Sequence, residues 1–143
     1  MELMRLVKLS TSEFSDISTV GEFFAHDLPQ RNPPGKFLFP DGWIAKGGLA
    51  ESEWILFSFL GRVVRIAQSA SGRLANLDEE KATYPNYFVV DLTTVKEVDF
   101  LVADLESAMH KDAGVTKSIA VSQGWVRLPD TAAALSVVER LAE

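Results

Sequence analysis

Cysteine is missing from all 143 positions, so no disulfide, thiolate-bound zinc or thiol nucleophile is open to this chain. Histidine is nearly as scarce. His26 and His110 are the only two, too few for histidine-based metal clusters, and a Ser-His-Asp triad would have to use one of them. His26-Asp27 has the look of a metal dyad without the further ligands one needs. Long apolar runs are lacking too: no window approaches the roughly 18 residues of a membrane span. Met1–Lys8 alternates apolar with charged residues where a secretory leader would need an unbroken apolar stretch. The dinucleotide fingerprint, the phosphate-binding P-loop and the Gly-x-Ser-x-Gly elbow do not occur. A cytoplasmic, soluble chain calling for neither metal nor cofactor is expected.

Basic excess is also missing. Fourteen Lys and Arg stand against twenty Asp and Glu, a net charge of −6, whereas nucleic-acid binders usually carry the opposite balance. The charge is unevenly spread. Residues 54–76 hold Arg62, Arg65 and Arg73 and no acid, while the segments on either side are acidic. Solvated strand arginines explain this strip; so does an anion contact, because the guanidinium fork suits phosphate.

What is present is the patterning of one α+β domain spanning residues 1–143, with 47% apolar residues to build a core. Ser10-Thr11-Ser12-Glu13 is a capping-box pattern, predicting a helix through Phe14, Ile17 and Phe24. Pro29, Pro33 and Pro34 then impose a loop. Residues 36–46 read as a strand broken by the turn Pro40-Asp41-Gly42. Trp54–Leu60, Gly61 and Arg62–Ala67 form the strongest β signal, a hairpin whose first strand is apolar on both faces and so covered on both. A polar loop, 68–82, precedes a strand at Tyr87–Asp91. Thr94-Val95-Lys96-Glu97 reads as a second capping box, opening a helix with Val98, Leu101, Leu105 and Met109 on one stripe. Val115–Val121 and Trp125–Leu128 read as short strands, and Asp130 as the cap of a last helix. The order predicts a small twisted antiparallel pseudobarrel flanked by about three helices.

Few side chains stand out chemically. Asp41 with Glu79-Glu80-Lys81 has the residue types of a divalent-metal nuclease, but the second group falls in a polar loop and reads as solvated charge. Trp43, Tyr84 and Trp125 all fall at junctions of loop and strand. Core packing at sheet ends explains that placement; if two of them converge, they form the walls of a slot for a flat ring.

At Ile55-Leu56-Phe57-Ser58-Phe59-Leu60-Gly61, Val64–Ala67, Gln68–Arg73 and Tyr84–Val90 the chain resembles PUA-like domains, most closely the EVE and ASCH types. The resemblance spans about residues 36–128. It implies a pseudobarrel that accepts a flipped, modified base at its mouth, as in EVE domains joined to HNH nucleases in modification-dependent restriction systems. In those enzymes such a domain is one part of a longer chain, and no HNH motif is present here. Carried over, Ser58, Ser69 and Ser71 line the pocket, Arg73 meets phosphate with Arg62 and Arg65, and Trp43 or, second, Tyr84 stacks on the base. Asp41, two residues from Trp43, is placed to accept an exocyclic amine. The expected function is a noncatalytic reader of a modified base, cytosine in DNA first. ASCH relatives suggest instead an amidohydrolase acting on modified nucleosides, built from Lys36 or Lys46 with Glu51 or Glu53. A protein-interaction module is the third alternative.

Overall fold

The structure, a computed structural model, describes residues 4–40, 42–44, 48–78, 81, 83–121 and 125–143. Its elements are β1 (Met4–Lys8), α1 (Ile17–Glu22), β2 (Lys36–Phe39), β3 (Trp54–Phe59), β4 (Arg62–Ser69), β5 (Leu74–Ala75), β6 (Asn86–Leu101), α2 (Val102–Asp112), β7 (Val126–Leu128) and α3 (Ala132–Leu141). A π-helical turn, Phe23–Asp27, extends α1. The strands form a curled half-barrel in the order β2-β6-β4-β3-β1-β7, with β5 also on β6.

The doubly apolar strand is covered as its pattern requires. Ile55, Phe57 and Phe59 join a phenylalanine-rich core with Phe23 and Phe24 beneath α1 and the turn after it. Leu56 faces the opposite way, into a second core with Leu105 and Met109 of α2 and Val137 of α3. The hairpin is antiparallel and turns through Leu60-Gly61, both at positive φ (51° and 78°). That is the twist-matched geometry of a two-residue turn, which favours Asn-Gly; leucine in the left-handed region costs about 1–2 kcal/mol.

The sheet is mixed, which corrects the antiparallel expectation. β1 runs parallel to β3, register Leu6↔Leu56, and antiparallel to β7. Arg5, within this strand, is only 2% exposed. It lies 3.6 Å from Glu53, itself 3% exposed, and donates to the Gly48 carbonyl at 2.6 Å.

The second capping box is also corrected. Thr94–Leu101 continues β6, a 16-residue strand, and α2 starts only at Val102. The Thr94 hydroxyl accepts from Gln68 N–H at 2.8 Å and donates to the Asp91 carbonyl, beside register shifts in the β4–β6 ladder. A side chain bridges the bulge where the backbone ladder slips, and the strand bends there. β6 can therefore pair with β2 and β5 at one end and β4 along the rest, which curls the sheet.

Three smaller differences have local causes. Ser10–Glu13 is a turn, and α1 waits for Asp16, whose carboxylate accepts from Thr19 N–H at 2.9 Å. Val115–Val121 is not a strand, because the Glu106 carboxylate takes the Ile119 and Ala120 N–H groups (2.5 and 3.1 Å) that a strand neighbour would take. Those bonds hold Glu106 below the usual carboxylate range. Thr131, not Asp130, caps α3. Among the described residues no helix is long and apolar enough to cross a membrane.

Burial pushes the Glu53 carboxyl up, with Arg5 and then Arg127 opposing. Arg5→Leu should cost about 3–5 kcal/mol near neutral pH, because it strands a buried charge. A folded-state pKa raised above the unfolded one means stability present at low pH and lost as pH rises. The deficit of Arg5→Leu should therefore shrink as pH falls and Glu53 protonates. Adding Glu53→Leu should recover most of it. Urea unfolding at acidic and neutral pH reads both effects; a deficit unchanged by pH would assign Arg5 a packing role only.

Candidate functional site

β2 and β7 are the two ends of the strand order, and the residue just before β7 reaches β2. Phe37 and Phe39 on β2 pack against Trp125, the residue before β7, at ring-centroid distances of 6.1 and 5.6 Å. Beyond β2, Gly42 (φ 93°) turns the chain, Ile44 drops into the core, and Trp43 between them remains 39% exposed. Trp43 stacks on Trp125 at 5.8 Å with 29° between planes. Two of the three junction aromatics thus converge. They do so as a platform: a ring held between two others needs about 3.5 Å on each side, and the pair is closer than that sum. The face that Trp43 offers is its outer one.

Beside this platform lies a cavity of about 290 Å³, with Phe37, Leu38, Pro40, Trp43 and Trp125 as apolar walls and Lys8, Ser10 and Glu13 as polar groups. Lys8 donates to the Ile119 carbonyl at 3.0 Å. Burial pulls its ammonium below the usual lysine range, with Glu106 opposing. The Glu13 carboxylate accepts from the Tyr84 hydroxyl at 2.6 Å, which pushes that phenol up. Tyr84 thus joins the site through Glu13, which with Phe37 and Leu38 also lines an adjoining small recess. The cavity presents an ammonium, a hydroxyl and a carboxylate around a flat apolar floor. That set can hydrogen-bond the edge of a ring stacked on an indole.

The remaining candidates lie elsewhere, and most hold backbone. Arg73 donates to Asn86 Oδ1 (3.0 Å) and to the carbonyl of Ile44 (2.8 Å), the residue after Trp43. Ser69 donates to the Ala50 carbonyl and accepts from Glu53 N–H; Ser71 accepts from Val89 N–H. Ser58 is buried and faces a different recess, with Lys8, Leu60 and Val102. Arg62 is hydrogen-bonded to Asp99 at 2.6 Å, and Arg65, registered opposite Glu97, lies over the Phe24 ring. The acid-free strip is a property of the sequence alone, since β6 supplies carboxylates beside it. Lys36 is buried against Asn76 and Asp78, and Glu53 faces Arg5, so these two amidohydrolase candidates have separate partners. Glu51 is exposed. Asp41, Lys46, Glu79 and Glu80 lie outside the described residues. Among the described residues no group of three or more His, Asp or Glu side chains could hold a metal ion. Glu13, Lys8 and Ser10 were not foreseen, and no local signal marks them, Glu13 and Tyr84 being 71 positions apart.

Trp125 is packed by Phe37 and Phe39, whereas Trp43 covers only Trp125 among the ring contacts. Trp125→Ala should cost about 3 kcal/mol, near the lower end for large aromatics in a core, and Trp43→Ala about 1 kcal/mol, one aromatic pair. Chemical denaturation of both variants checks the ratio; equal losses would place Trp43 in the core.

No protein-family model matches the chain, and no curated protein matches it. Among solved structures it is similar to the YTH domain of the Zygosaccharomyces rouxii MRB1 protein, determined in complex with N6-methyladenosine RNA. The identity is 17% and the TM-score 0.57, over 98% of this chain and 86% of that one. A second similar structure is Rpa0253 of Rhodopseudomonas palustris, determined by NMR, with 14% identity and TM-score 0.48 over 98% and 92% of the two chains. The likeness to the YTH domain is one of fold.

Proposed function

We propose that this chain, as one PUA-like unit over residues 1–143, reads a modified base in nucleic acid. The base leaves its stack and lies on the outer face of Trp43, with its edge in the cavity toward Lys8, Ser10 and Glu13. The observation that carries this reading is the exposed Trp43 platform beside a polar-rimmed cavity. The shared fold with a YTH domain solved on N6-methyladenosine RNA supports it. A carboxylate at the rim favours a base with an exocyclic amine, which adenine, cytosine and guanine carry and uracil and thymine do not. Glu13 takes the acceptor part that the sequence suggested for Asp41. Modified cytosine in DNA, as in the EVE systems, and methylated adenine in RNA are the two forms to compare.

Unstacking a base costs a few kcal/mol, which stacking on one aromatic offsets by roughly 1–3 kcal/mol. A net charge of −6, with Arg62 already on Asp99, leaves few cations for phosphate. Affinity should therefore fall only shallowly with salt.

The test is fluorescence anisotropy on matched oligonucleotides: N6-methyladenine RNA, 5-methylcytosine DNA and their unmodified counterparts, at low and moderate salt. Binding that prefers a modified form is expected. Trp43→Ala should weaken it by roughly 5- to 150-fold while lowering the melting temperature by only a few degrees. Absence of wild-type binding even at low salt, or an unaffected Trp43→Ala, would sink the proposal.

A further inference from the structure

We propose that Leu60 is an apolar wedge and that the nucleic acid this chain reads is base-paired. The inference rests on the reader proposal above and names its substrate class. The tip of the β3–β4 hairpin is built at local expense. Leu60 holds a left-handed backbone (φ 51°) where Asn would be at ease, and its side chain is 71% exposed. Ile17, 54% exposed, lines a recess with Leu60 from α1, separate from the one at Ser58. An apolar side chain held outward on a strained turn points to a use for it outside the fold.

The tip is fastened to the body of the fold and shares two neighbours, Lys8 and Leu9, with the cavity beside the platform. Gly61 accepts from Val102 N–H at 2.8 Å, fastening the turn to the start of α2. Leu60 and Gly61 line a recess with Lys8 and Leu9, and Lys8 and Leu9 also line the cavity beside Trp43. Lys8 is registered opposite Ser58, two residues from the tip. Aliphatic side chains inserted between base steps are a known means of unstacking a duplex. A base drawn from a duplex leaves a gap into which it can fall back, and a single strand has no such gap to fill. Platform and wedge together fit base-paired nucleic acid.

The charges around the tip fit apolar contact. Asp16, Glu97 and Asp99 share its flank with Arg62 and Arg65, and Arg62 is taken by Asp99. Arg65 in turn donates to the Val64 carbonyl at 2.7 Å, so the contribution of the tip should depend little on salt.

Leu60→Asn is the informative variant, because it relieves the turn while removing the wedge, and its melting temperature should match or exceed the wild type. Anisotropy is measured on duplexes carrying N6-methyladenine or 5-methylcytosine and on the same modified strands unpaired. The expected result is a duplex affinity about tenfold weaker with single-strand affinity within about twofold. The fluorescence rise of a 2-aminopurine placed beside the modified base in the duplex should shrink in parallel. Equal effects on both forms, no effect on the duplex, or wild-type binding to single strands only would each overturn the wedge. Wild-type binding to neither form removes the reader proposal as well; duplex binding that needs Trp43 but not Leu60 removes the wedge alone.

Discussion

A sheet that is not fully closed has two edges, and this one brings its edges into contact through aromatic rings. Everything at the candidate site follows from that contact. The bulged course of β6 around Thr94 supplies the curl, and Phe37, Phe39 and Trp125 fill the seam where β2 and β7 approach. Trp125 could have been covered by a longer strand. It is covered instead by Trp43, from the turn after β2, so the outer ring is both fixed from below and open above.

Fixing such a turn takes polar anchors, which is where two arginines and a serine are used. Arg73 grips the carbonyl after Trp43, Arg5 the carbonyl of Gly48, and Ser69 the stretch at Ala50 and Glu53. Irregular chain next to a core must satisfy its backbone groups somehow, and here long-range side chains do it. Residues that look like ligands in the sequence thus act on the loop that carries the platform. Glu13 is the reverse case. It looks like a helix cap, and its carboxylate stands at the cavity holding Tyr84.

The β3–β4 hairpin was legible because its information is local: two apolar faces and a two-residue turn containing Gly61. The convergence of Trp43 with Trp125 was legible in part, since aromatics at strand ends point toward a barrel mouth. β1 was not, because Arg5 imitates a solvent-facing residue unless Glu53, 48 positions away, is known to meet it. Thr94-Val95-Lys96-Glu97 misled for a related reason. A threonine that can cap a helix can equally bridge a bulge, and the choice belongs to Gln68 on another strand. The same holds for Val115–Val121, whose strand-like composition is overruled by a carboxylate from α2. Long-range polar contacts are the common element in what sequence pattern could not carry.

The parallel pairing of β1 also orders assembly in time. The strand nearest the start of the chain is seated between β3 and β7, and its partners lie some fifty and more than a hundred residues downstream. Contacts of such separation form late, after the hairpin and β6 have met locally. Until then Met4, Leu6 and Val7, all fully buried at the end, have nothing to cover them. On a ribosome that interval lasts at least as long as the intervening residues take to synthesise, seconds at ordinary elongation rates, with an adhesive strand left uncovered. The feature that gives the finished sheet its middle is thus also the nascent chain's period of greatest vulnerability.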